Sequence, residues 1–190
     1  GESSPAATST ASPANVQKQP ASAVDVDKNG KETVDITLSA DFINFMVKMT
    51  QMGDESATAE SFYETIKESS PNAVLNDDGS ITVQMSKADY EKTLNTYEEN
   101  IDQAISEMLK NANGYLSITD ISHNKDLSHF DITISGDEPN LYDSFYAVAF
   151  YMYGGLYNAF KGNKNPVITI DYHNPSGVIV ASASSEDLKK

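Results

Sequence analysis

The chain holds three imidazoles, His123, His129 and His173, and the first two bracket the loop from Asn124 to Ser128 with Asp126 between them. Two imidazoles and a carboxylate make a zinc-type donor set once a loop gathers them, although this spacing fits no helical or short metal motif. A second candidate is Asp25-x-Asp27-x-Asn29-Gly30, which matches the opening of an EF-hand calcium loop, where alternate oxygens converge on the ion and Gly permits the sharp turn. The closing position of that loop needs a bidentate Glu and here holds Ile36, which strand alternation assigns to the core. Asp25, Asp27 and Asn29 are therefore read as hairpin-turn chemistry ahead of a calcium site. Cys is absent, which excludes thiolate nucleophiles, disulfides and iron-sulfur ligation. Every basic residue is Lys, so guanidinium clamps for phosphate or carboxylate are excluded too. With no G-x-S-x-G elbow and no Walker or G-x-G-x-x-G loop, no catalytic residue is assigned and no cofactor is expected.

The most unusual stretch for binding is Ser144 to Phe160, 17 residues without a charge. Tyr142, Tyr146, Tyr153 and Tyr157 fall on one helical face, beside a face of Phe145, Ala149, Met152, Leu156 and Phe160. The spacing predicts a central helix buried against a sheet; a groove for an amphiphilic ligand lined by the four tyrosines is the functional alternative. A membrane span is disfavoured, because Gly154-Gly155, Asn158 and the phenols sit poorly in hydrocarbon.

The elements that must position these residues follow one grammar. Val34, Ile36 and Leu38 alternate with polar residues after the Asp27-Lys28-Asn29-Gly30 turn, which predicts a hairpin, and Ser39 caps a helix carrying Phe42, Phe45, Met46 and Met49. A second short helix is predicted from about 58 to 69. Strand, turn and strand then return through Asn76-Asp77-Asp78-Gly79 to Ile81, Val83 and Met85. Ser86 and Asp89 form the capping pattern of a long helix, Lys87 to Asn111, whose stripe is Tyr90, Leu94, Tyr97, Ile101, Ile105 and Met108. A third hairpin spans about 115 to 135, Pro139-Asn140 announces the uncharged helix, and a last hairpin closes the chain through Asn174-Pro175-Ser176-Gly177. Hairpins alternating with helices predict an α+β fold: an antiparallel sheet of ββα units with helices packed on one face. Residues 81–172 read β-α-β-β-α-β, an order that permits a ferredoxin-like core.

From Ser3 to Ala23, 16 of 21 residues are Ser, Ala, Thr or Pro, a composition that cannot offset its ordering entropy. Residues 1–23 are read as a disordered spacer, 24–185 as a single domain and 186–190 as a flexible end. The opening residues show neither a basic n-region nor an apolar h-region, so no signal peptide is read there; a processed secreted form would look the same. With 28 acids against 13 bases the formal charge is -15, which argues against nucleic acid and anionic membrane as partners.

The run Asp78-Gly79-Ser80-Ile81-Thr82-Val83-Gln84-Met85-Ser86-Lys87-Ala88-Asp89-Tyr90 resembles a stretch of uncharacterised lipoproteins of Gram-positive bacteria. The block from Tyr142 to Phe160 and the closing strand-turn-strand are similar to theirs, and the order of elements follows over roughly 30–183. In that family an N-terminal Cys carries the lipid. No such Cys stands here, so anchoring rests on the resemblance and on a spacer suited to hold a domain clear of its anchor. The resemblance implies no activity. The expectation is an extracellular, cell-surface-anchored, non-enzymatic module with a protein or small-molecule partner, touching membrane only through a lipid. The alternatives are a carrier of an amphiphilic ligand at Tyr142, Tyr146, Tyr153 and Tyr157, and a metal-dependent hydrolase using His123 and His129.

Overall fold

The computed structural model describes residues 24–26 and 30–189. The expected spacer, 1–23, and the turn residues Asp27 and Asn29 lie outside the described residues. In chain order the elements are β1 (Val24–Val26), β2 (Glu32–Leu38), α1 (Ala40–Gln51), α2 (Ala59–Ser69), β3 (Val74–Leu75), β4 (Ile81–Ser86), α3 (Lys87–Lys110), β5 (Ile118–His123), β6 (His129–Ile134), α4 (Leu141–Tyr146), α5 (Val148–Phe160), β7 (Thr169–His173) and β8 (Ile179–Ser184), then a 3-10 turn (Ser185–Lys189). Helix starts are fixed by side chains that accept the first free amides: Ser39 from Phe42, Ser86 from Asp89, and reciprocal boxes at Thr58/Ser61 and Asn140/Asp143.

The fold is α+β, but the hairpins assemble into two sheets. One runs β1-β2-β4-β3 and is antiparallel throughout; the other runs β5-β6-β7-β8 and joins its two hairpins through a parallel β6–β7 pair. This corrects the expectation of one antiparallel sheet, and with it the ferredoxin-like core, because β4 pairs with β2 and β3 instead of joining β5, β6 and β7. The chain divides accordingly into two halves, each with two hairpins separated by two helices. Matching apolar rows explain the pairing. Val34, Ile36 and Leu38 lie opposite Met85, Val83 and Ile81, all buried, and Phe130 and Ile132 lie beside Ile170 and Tyr172, also buried.

One continuous apolar core links both halves, and α5 runs through it. Phe150 stacks on Phe130 with ring centroids 4.3 Å apart, and Phe160 meets Tyr97 of α3 edge-on at 5.5 Å. Tyr90 of α3 donates its hydroxyl to the Phe160 carbonyl. The glycines of α5 are explained by close approach: a Cβ on Gly154 would stand 2.5 Å from the Leu127 carbonyl oxygen, and one on Gly155 would stand 3.1 Å from the Phe42 ring.

Of the expected flexible end, 186–190, the described residues to 189 lie in the 3-10 turn Ser185–Lys189. Ser185 donates its amide to the Ile168 carbonyl and accepts from the Ile168 amide on its hydroxyl, and Leu188 packs against the core. Those bonds hold the 3-10 turn against the strand that follows α5. Among the described residues no helix is long and apolar enough to cross a membrane.

Candidate functional site

Parallel register places alternate outward residues of β6 and β7 side by side: His129 with Thr169, Asp131 with Asp171, Thr133 with His173. His129 Nε2 lies 3.3 Å from Asp131 Oδ1 and 3.4 Å from Asp171 Oδ2, while His173 Nε2 donates to Asp131 Oδ1 at 2.8 Å. Three of the four have a further partner. His129 Nδ1 sits 2.7 Å from Thr169 Oγ1, Ser182 of β8 donates its hydroxyl to Asp171 Oδ1 at 2.6 Å, and His173 Nδ1 faces the Gly177 carbonyl at 3.3 Å. The four side chains retain between 22% and 42% of their exposure, so the cluster is open to solvent on one side.

Both nitrogens of His173 thus face oxygen acceptors, which favours the imidazolium. The Asp131 hydrogen bond, chiefly, raises its pKa above the ordinary 6.5, with help from the Gly177 carbonyl and the two aspartates against a smaller opposing effect of burial. A raised folded-state pKa means that the stabilisation is complete below the unfolded value and fades as pH rises through the folded one. His173→Gln is therefore expected to lower the melting temperature more at about pH 5 than at about pH 8. A deficit that grows with pH in paired thermal melts would contradict the assignment.

His129 belongs to this cluster; His123 does not. His123 ends β5, contacts the Asn124 carbonyl through Nδ1 and leans on the Phe130 ring, facing a shallow cleft with Glu98, Glu99 and Asp102 of α3. The sequence pairing of the two histidines around one loop thus fails, because His123 and His129 lie on either side of a turn that sends them to different surroundings. Asp131, Asp171 and His173 are the members that spacing along the chain missed. Their signal is the pair His129-x-Asp131 and Asp171-x-His173, which becomes visible once β6 and β7 are known to be neighbours. Of the calcium candidate, Asp25 falls in β1 opposite Thr33, and Asp27 and Asn29 are outside the described residues.

The four tyrosines are also divided. The expected single helix breaks at Ala147, where the Phe150 amide bonds the Ala147 carbonyl three residues back, so α4 and α5 do not share one face. Tyr157 is buried and Tyr153 half-buried in α5, whereas Tyr142 and Tyr146 are exposed on α4, Tyr142 stacked on Tyr115 at 4.9 Å. α4 instead presents an apolar ridge: Leu141 is 81% exposed, Phe145 53%, Tyr142 48% and Tyr146 40%.

Beside the ridge lies a groove of about 270 Å³ walled by Met52, Phe145, Val148, Tyr151, Tyr172 and Leu188, with Asp187 as the one charged side chain in its lining. Burial pushes the Tyr172 phenol up to about 12 and Tyr151 well above the usual value, with nearby acids adding to both, so each hydroxyl stays protonated at neutral pH. α4 is held in place from below by Asp143, which is fully buried and accepts from the Ser117 amide and hydroxyl and from the Asn140 amide. The chain matches no protein family, no curated protein and no solved structure.

Proposed function

We propose that the chain is a non-enzymatic interaction module of the cell surface, lipid-anchored through its Ser/Ala/Thr/Pro spacer, and that it docks a protein segment on the α4 ridge and the groove beside it. The observation that carries this reading is four large apolar side chains left exposed on one short helix, contiguous with an apolar recess. Side chains of that kind normally find cover, and among the described residues no segment buries them.

A groove of about 270 Å³ lies at the small end of the range typical of ligand pockets and has room for one or two inserted side chains. Charge argues for a basic partner. The chain carries -15, Asp187 lines the groove and Asp137 and Glu138 lead into α4, so a segment with an apolar anchor flanked by Lys or Arg is favoured over an acidic one. The same charge disfavours nucleic acid and anionic lipid.

A fluorescent peptide with a central Phe flanked by lysines should bind saturably in anisotropy titrations, and the same peptide flanked by glutamates should not. Phe145→Ser, at an exposed position, should shift stability by less than about 1 kcal/mol yet abolish the binding. Equal binding of both peptides, or binding indifferent to Phe145→Ser, would refute the docking surface. Location is tested apart: protease added to intact source cells should shed the domain, and full protection would refute surface display.

A further inference from the structure

The cluster on the outer face of the mixed sheet plays no part in the docking reading, and its geometry goes beyond what surface hydrogen bonding requires. We propose that His129 Nε2, Asp131 Oδ1 and Asp171 Oδ2 form a three-ligand site for a divalent transition-metal ion of the zinc class, with a fourth position open to solvent. One donor atom from each of the three residues lies within 4.8 Å of the other two. Ligands bound at about 2.0–2.1 Å in a tetrahedron stand about 3.3–3.4 Å apart. The His129–Asp131 and His129–Asp171 separations are 3.3 and 3.4 Å, so two of the three edges already have the length an ion would impose.

Orientation supports the same assignment. Metal-binding imidazoles and carboxylates are held from behind by a second partner, and each ligand here has one. Thr169 Oγ1 engages His129 Nδ1; a proton on that nitrogen leaves the Nε2 lone pair directed at the carboxylates. Ser182 takes Asp171 Oδ1 and leaves Oδ2 for the ion. His173 donates to Asp131 Oδ1 at 2.8 Å, closer than two ligands of one ion stand, so it is a positioning residue and not a fourth ligand, and the ion would take the other lone pair of that oxygen.

One imidazole and two carboxylates, partly exposed, suit zinc better than a soft thiophilic ion, and the imidazole selects against magnesium and calcium. The parallel seam is the structural cause of the site. Its register sets Asp131 directly beside Asp171 and leaves His129 diagonal to Asp171, within reach of both carboxylates.

The test is calorimetric titration of the full chain with Zn2+, repeated with Co2+ while recording visible absorption. One saturable ion per chain is expected, with the intense d–d bands of tetrahedral Co2+, and with no displacement by excess Mg2+. His129→Gln and Asp171→Asn should each weaken binding by at least about tenfold, and Thr169→Val by about tenfold through lost orientation. Wild-type protein that binds no Zn2+ saturably, binding that survives both ligand variants, or equal displacement by Mg2+ would each overturn the proposal. All three substitutions are on the solvent face. Should a ligand variant fold poorly, Thr169→Val keeps every ligand and decides the matter, since unchanged affinity there refutes the assigned geometry.

Discussion

Gly154→Ala is expected to destabilise the protein by about 3 kcal/mol, at the upper end of ordinary overpacking costs, although alanine is the better helix former by about 1 kcal/mol. The added carbon would stand 2.5 Å from the Leu127 carbonyl oxygen and 3.2 Å from the Ile168 side chain. Neither obstacle can retreat cheaply. Leu127 is buried and holds a left-handed backbone, φ 56°, at the turn position where the related turns have Gly79 and Gly177. Asn158 fastens the same turn to α5 by donating its amide to the Asp126 carbonyl. The substitution must therefore push α5 off the turn or force the turn out of β5–β6. Gly155→Ala is the control, for it meets only the Phe42 ring at 3.1 Å, and a ring can yield by a few tenths of an ångström. Urea unfolding followed by far-ultraviolet circular dichroism should show a large deficit for the first variant and a change within about 1 kcal/mol for the second. Equal stability of Gly154→Ala and the parent would show that the close approach is dispensable.

Asp143→Ala is expected to cost about 3 kcal/mol. The carboxylate has no exposure, and its loss strands three donors: the Ser117 amide at 2.8 Å, the Ser117 hydroxyl at 2.6 Å and the Asn140 amide at 2.8 Å. Asp143→Asn does not rescue it. Donors reach both oxygens, so an amide in either orientation points its own N–H at one of them. Ser117→Ala should lose less than Asp143→Ala, because it removes the hydroxyl and leaves the amide bond in place. Because Asp143 seats α4 against the segment that leads into β5, both Asp143 variants should also loosen the aromatic ridge, seen as faster amide exchange in Leu141–Tyr146. Near-native stability of Asp143→Asn would mean that water replaces the lost acceptor.

Local chemistry made much of this fold readable along the chain. Ser39, Thr58 and Ser86 sit where helices begin, the α3 stripe from Tyr90 to Met108 packs inward, and Asn76–Gly79 and Asn174–Gly177 make the turns their composition predicts. What could not be read was the choice of partner between hairpins. β2 joins β4 antiparallel while β6 joins β7 parallel, and both strand pairs offer equally apolar inner faces, so periodicity is indifferent to the choice. The histidine cluster depends wholly on that choice. His129 and His173 were visible as residue types, but Asp131 and Asp171 are ordinary solvent-face acids until the two strands lie side by side. The exposed ridge was hidden for another reason: an uncharged run reads as buried helix, and only the break at Ala147 leaves Ser144, Phe145 and Tyr146 at its start exposed.

The parallel seam also bears on the order in which the chain can assemble. The β5–β6 and β7–β8 hairpins close over short turns, but contacts across the seam join residues 40 and 42 positions apart, such as His129 with Thr169 and Asp131 with His173. Closing that span costs more chain entropy than closing a hairpin, and the cost is not recovered until α4 and α5 have crossed over and docked. The seam therefore belongs to a late stage of folding. Its polar outer row contributes little to driving that stage, whereas Phe130, Ile132, Ile170 and Tyr172 on the inner row provide the apolar burial that draws the strands together. The four-residue cluster is in that sense a product of finished folding: a partly folded chain with both hairpins and every helix in place would still lack it.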